Sequence, residues 1–157
     1  MTEVRFYHLQ SQRLEQALPA ILIKATERGH RVLVKAESEA QAEGLNKHLW
    51  TFDAASFLPH GSQKDGDADR QPIFLTHTFD NPNKADVLVL TDGSAVEDFD
   101  GYALCCDMFD GNNHDAVQSA RTRWKSLKEA GVKITYWQQN ERGGWSMKAE
   151  ENSAKES

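Results

Sequence analysis

With 157 residues, the chain has enough length for one domain with a real apolar core and too little for several. Its 24 acidic residues exceed its 18 basic ones, and a net charge of −6 argues against general affinity for nucleic-acid phosphate. The two cysteines, Cys105 and Cys106, are adjacent in an apparent strand, where neighbouring side chains face opposite ways; they read as buried thiols in a reducing compartment, not a disulfide.

No basic region leads into an apolar run at the N-terminus, and Ala20-Ile21-Leu22-Ile23 is far too short to span a bilayer. The expectation is a soluble, cytoplasmic protein without membrane association. Val4 to Leu9 reads as a strand rich in aromatic and branched residues. Leu14, Leu18, Ile21, Leu22 and Ala25 then recur at helical spacing, with Pro19 either starting the regular helix or kinking it. Gly29 stops that helix and Arg31 to Ala36 forms the next strand, a strand–helix–strand unit that implies parallel pairing. Ser38 with Gln41 makes a capping box for a helix whose apolar side carries Ala42, Leu45 and Leu49.

Trp50, Phe52, Phe57 and Leu58 follow, large apolar groups in a connection that must bury them under the domain or against a second protein. Residues 61–69 read as a mobile polar loop. Strands are expected at Ile73–Thr76, Val87–Leu90 and Tyr102–Cys106, the second apolar enough to be covered on both faces. A helix from about Asp115 to Ala130, ended by Gly131, leads to a last strand, Val132–Trp137. The resulting class is α/β: a mostly parallel twisted sheet with helices on both faces, Rossmann-like in outline. Residues 138–157 are polar and read as a disordered tail, in which Trp145 and Met147 either pack back or meet a partner.

Site chemistry is sparse. No glycine-rich phosphate loop follows the first strand, so no nucleotide or other cofactor is expected. His60 with Asp65 and Asp67 matches no standard metal spacing, and no metal is expected. The last helix is more informative. Val117, Arg121, Trp124 and Lys128 share one face, while Ala116, Ala120 and Leu127 lie on a neighbouring face better suited to the core. An aromatic wall between two cations suits a ligand ending in an aromatic residue with a free carboxylate; it also suits a half-buried Trp with a solvated charged rim.

A helix ending in Leu49-Trp50, a short spacer and Ser56-Phe57-Leu58-Pro59-His60 resembles the chi subunit of bacterial DNA polymerase III, part of the clamp-loader assembly. Gly29-x-Arg31-Val32-Leu33-Val34 and Arg121-x-x-Trp124-Lys125 resemble the same family, and the order of elements follows it through residues 4–137. The resemblance implies a chi-like domain over 1–137. It implies that Trp50, Phe57, Pro59 and His60 meet the psi subunit or, where psi is missing, another partner such as a helicase. It implies too that the last helix and following strand bind the acidic, Pro-Phe-ended C-terminal tail of single-stranded-DNA-binding protein. On that match Arg121 takes the carboxylate, Trp124 is the pocket aromatic, Lys125 holds a basic position, Val117 replaces a basic contact, and Ile134 or Thr135 walls the pocket. The expected role is a non-catalytic adaptor. Two alternatives stand beside it: an enzyme acting on a phosphorylated metabolite in the αβ crevice, and a module binding nucleic acid through Arg121, Arg123, Lys125 and Lys128.

Overall fold

The computed structural model describes residues 3–36, 38–51, 61–62, 72–77, 84–91, 102–142 and 144–152. In chain order the elements are β1 (Glu3–Leu9), α1 (Leu14–Glu27), β2 (Val32–Lys35), α2 (Glu39–Thr51), β3 (Gly61–Ser62), β4 (Ile73–Thr76), β5 (Val87–Thr91), β6 (Leu104–Asp110), α3 (His114–Glu129), β7 (Lys133–Gln139) and β8 (Trp145–Glu151).

Local chemistry fixes the element ends. Ser38 Oγ accepts from the Gln41 N–H at 3.1 Å ahead of α2. α1 and α3 both close with a left-handed glycine, Gly29 at φ 84° and Gly131 at φ 80°. After each, the next N–H reaches back to the last turn, His30 to the Ala25 carbonyl and Val132 to the Leu127 carbonyl, both at 3.1 Å. Pro19 lies buried inside α1, which continues through it as one helix and does not begin there.

The eight strands of the described residues form one sheet in the order β3-β4-β2-β5-β6-β1-β7-β8. All pairings are parallel except β7 with β8. β1 and β2 run parallel, as the strand–helix–strand reading required, but they do not pair, since β6 and β5 lie between them. Residues Leu9, Leu18, Leu22, Val34 and Met108 fill the core beneath α1 and α2. Val4, Phe6, Leu33, Phe109 and Ala120 fill the core beneath α3. Helices therefore cover both faces of an α/β fold. Cys105 and Cys106 are free and buried, one in each core layer; burial pushes the Cys106 thiol up to about 12 and Cys105 well above its ordinary value.

Two segments differ from the sequence reading. Gly61 and Ser62, expected in a mobile loop, pair with Phe74 and Leu75. Within the supposed tail, Trp145–Glu151 forms β8 along the edge of β7. Three things hold it: its backbone completes the open edge, Trp145 packs edge-on against Tyr7 at 5.0 Å, and Asn152 Nδ2 donates to the Lys128 and Val132 carbonyls at 3.0 Å. A polar strand can thus be ordered by one anchoring ring and a ready-made ladder.

Candidate partner-binding site

Asn113 caps α3, its Oδ1 accepting from the Asp115 and Ala116 N–H groups at 3.0 and 3.2 Å. The helix then lays Ala116, Val117, Ala120, Trp124 and Leu127 on the sheet. Alternation along the parallel strands brings Phe6 and His8 of β1 and Tyr136 of β7 to the same face. Trp124 sits edge-on to Phe6 at 5.6 Å and to Tyr136 at 5.8 Å. His8 meets Phe109 at 5.3 Å and Tyr136 at 5.8 Å. Trp124, Tyr136 and His8 are each half-buried, so a shelf of rings is open to solvent on one side.

The electrostatics of this shelf are set by two arginines with opposite duties. Arg123 turns toward the sheet and grips buried Asp107 with two bonds, Nε to Oδ2 at 2.6 Å and Nη2 to Oδ1 at 2.9 Å. Burial pushes the Asp107 carboxyl up and Arg123 opposes that shift, so the pair fastens α3 to β6. Arg121 is exposed, and among the described residues it makes no ion pair. Its charge reaches the rings. Burial first and Arg121 second hold His8 below its ordinary value, while burial raises Tyr136 against the pull of Arg121. A neutral His8 can accept the Tyr136 O–H through Nδ1, at 2.6 Å. Gly111 makes room for this histidine, since a Cβ there would strike the His8 ring and the Leu9 carbonyl.

A guanidinium beside an exposed ring shelf can hold a carboxylate bidentately while the rings take up an apolar group. Lys125 is exposed one turn beyond Arg121. Lys128 is engaged with Glu151 of β8 at 3.4 Å. Val117 is half-buried against the core layer beneath α3. Ile134 is fully buried and lies under the shelf, out of a ligand's reach. Thr135 does not belong to this face: it points to the opposite side of β7, where its Oγ1 accepts from Trp137 Nε1 at 2.9 Å. Of the strand residues, it is Tyr136 whose half-buried ring lies on the face of Trp124. Sequence reasoning missed Tyr136 and His8; the alternation of β7 from Ile134 was the signal that could have found the first. Since Arg123 is spent on Asp107 and Lys128 on Glu151, two of the four cations of the nucleic-acid reading are neutralised within the fold.

Trp50 lies in the last turn of α2, and Phe57, Pro59 and His60 fall outside the described residues, as do Asp65 and Asp67. Among the described residues no three His, Cys, Asp or Glu gather as a metal ion would need. No described helix is long and apolar enough to cross a membrane.

Residues 1–135 match the family model described as DNA polymerase III chi subunit, HolC. The chain is 33% identical over 90 residues to the probable DNA polymerase III subunit chi of Rickettsia prowazekii (strain Madrid E), a match covering 57% of this chain and 54% of that protein. It is 27% identical over 122 residues to the DNA polymerase III subunit chi of Escherichia coli (strain K12), covering 77% of this chain and 82% of that protein. The chain spans just over half the length of the first relative and most of the second.

Proposed function

This chain belongs to the DNA polymerase III chi subunit family, and from that premise we propose that it is a non-catalytic adaptor joining the clamp loader to single-stranded-DNA-binding protein. Two separate surfaces do the work. The segment carrying Trp50, Phe57, Pro59 and His60 anchors the chain to psi, or to an equivalent partner such as a helicase. The α3 shelf captures the acidic C-terminal tail, with Arg121 on the terminal carboxylate, the Phe ring against Trp124 and Tyr136, and Lys125 beside the acidic residues that precede it. The role needs no cofactor and no direct grip on DNA. Linkage to a protein that coats single strands raises the local concentration of polymerase there. Cytoplasmic replication is the setting this role requires.

The observation that carries the reading is an exposed Arg121, without an ion pair among the described residues, beside the half-exposed Trp124–Tyr136 ring pair. Two single substitutions test it as a double dissociation. Phe57→Ala should abolish co-purification with polymerase subunits and leave tail-peptide binding intact; Arg121→Ala should do the reverse. Loss of both activities from either change would refute two independent surfaces.

A further inference from the structure

The opposite face of the sheet carries a second cleft that the adaptor role does not use. It lies between α1 and the β7–β8 edge, with a volume of about 420 Å³, within the range of small-ligand and side-chain pockets. Val87 and Leu104 form one side of its floor and Glu3, Arg5 and Tyr7 of β1 the middle; Ile21 of α1 faces them, and the rings of Trp137 and Trp145 close the far side. The β7–β8 register places Met147 opposite Trp137, so the apolar surface continues outward onto a side chain that is 47% exposed.

The rim is cationic although the chain as a whole is acidic at −6. Lys24 in the last turn of α1 and Arg28 just after it line the cleft, and among the described residues neither has an ion-pair partner. Arg5, also at the cleft, bonds Glu3 at 3.0 Å, but Lys133 shares that carboxylate at 3.7 Å, so one acid serves two cations. Bulky aromatic rings on one side and, among the described residues, unpaired cations on the other suit an occupant that carries an apolar group for the rings and anionic groups for Lys24 and Arg28. The extension of apolar surface past the cleft onto Met147 calls for a chain segment, longer than a small molecule.

We propose that this cleft is a docking site for an internal acidic segment of a partner protein, one that inserts a bulky apolar side chain between Trp137 and Trp145 and sets carboxylates on Lys24 and Arg28. The site is distinct from the α3 shelf. Trp137 and Tyr136 are neighbours on β7 and face opposite ways, and nothing in the cleft calls for a terminal carboxylate.

The four tryptophans make the test direct. The full chain is labelled with 5-fluorotryptophan, its fluorine resonances are assigned by single Trp→Phe changes, and it is titrated with a panel of N-acetylated, C-amidated peptides. The panel places Phe, Trp, Leu or Ile between runs of Glu and Asp; blocked termini deny Arg121 its carboxylate. The expected result is selective movement of the Trp137 and Trp145 resonances by at least one peptide, without movement of Trp124. Binding should weaken by about 10-fold or more in the Lys24→Glu, Arg28→Glu double variant, remain in Arg121→Ala, and vanish when the peptide's apolar residue becomes Ser. Silence of Trp137 and Trp145 across the panel to millimolar concentration would overturn the proposal. So would peptide binding that moves only Trp124 and disappears in Arg121→Ala, or binding indifferent to the double variant.

Discussion

The two faces of the sheet use similar parts to different ends. Beneath α3, rings from β1, β7 and the helix itself are packed on one another, and the helix is locked down by Arg123 on Asp107. Beneath α1, Trp137 and Trp145 line a cleft between the sheet and the helix. The α3 shelf lies almost wholly within residues 1–135, the span shared with the family model, whereas both tryptophans of the cleft lie beyond it. The contrast teaches that a ring beside a cation is not by itself a site. What matters is whether the cation is already neutralised within the fold, as Arg123 is, whereas Arg121 has no ion pair among the described residues.

The strongest way to break the comparison is to exchange the fates of those two arginines. Arg123→Ala leaves Asp107 buried without its partner and should destabilise the chain by about 3–5 kcal/mol, read by chemical denaturation. Arg121→Ala, at an exposed position, should change stability by no more than about 0.5 kcal/mol while removing tail binding. Equal destabilisation by the two would erase the distinction between a fastening and a binding arginine.

The next test concerns the other face. Trp145→Ala removes the ring that holds β8 against Tyr7 and should cost about 2 kcal/mol, with faster amide exchange along β7 and β8. An unchanged melting temperature and exchange pattern would mean that β8 contributes nothing to the fold.

Such a strand shows where the sequence was hard to read. β1, β2, β5 and β7 announce themselves through dense branched and aromatic residues, and α1 and α3 through helical spacing and a closing glycine. Trp-Ser-Met-Lys-Ala-Glu-Glu has no such pattern: its order comes from antiparallel pairing with the strand just before it, β7, and not from its own composition. Sheet order was hidden for a different reason, since nothing local says that β5 and β6 slip between β1 and β2. In the candidate site, Arg121, Trp124 and Lys125 were legible on one helix. Tyr136 and His8 join them only through the parallel register of β1 with β7, and of the two strand residues expected beside them, Ile134 is buried and Thr135 faces the other side of the sheet.

A pH profile sharpens the picture of the shelf. His8 is held below its ordinary value, so the folded state favours the neutral ring. The stability this lends is present above the unfolded value of about 6.5 and is lost as pH falls through the lower folded value. His8→Gln should remove that part of the acid sensitivity, measured as the difference in unfolding free energy between neutral and mildly acidic buffer. An identical profile in the variant would mean that His8 does not titrate differently in the folded chain.

The smallest expected effect lies at the rim. Glu151→Gln breaks an exposed pair, should change stability by less than about 1 kcal/mol, and frees Lys128. Tail affinity should rise slightly in low salt and return to the parent value in high salt. A gain that persists at high salt would point to a rearranged β8 instead of a released charge.

The central claim is that Arg121 with the Trp124–Tyr136 shelf reads a terminal carboxylate. Its most direct test is titration of the full chain with a peptide ending in Asp-Asp-Ile-Pro-Phe, as free acid and as C-terminal amide, followed by tryptophan fluorescence. Amidation should cost about 2–5 kcal/mol, an affinity loss of roughly 30-fold or more, and Arg121→Ala should abolish the difference between the two peptides. Equal binding of acid and amide by the parent chain would contradict it.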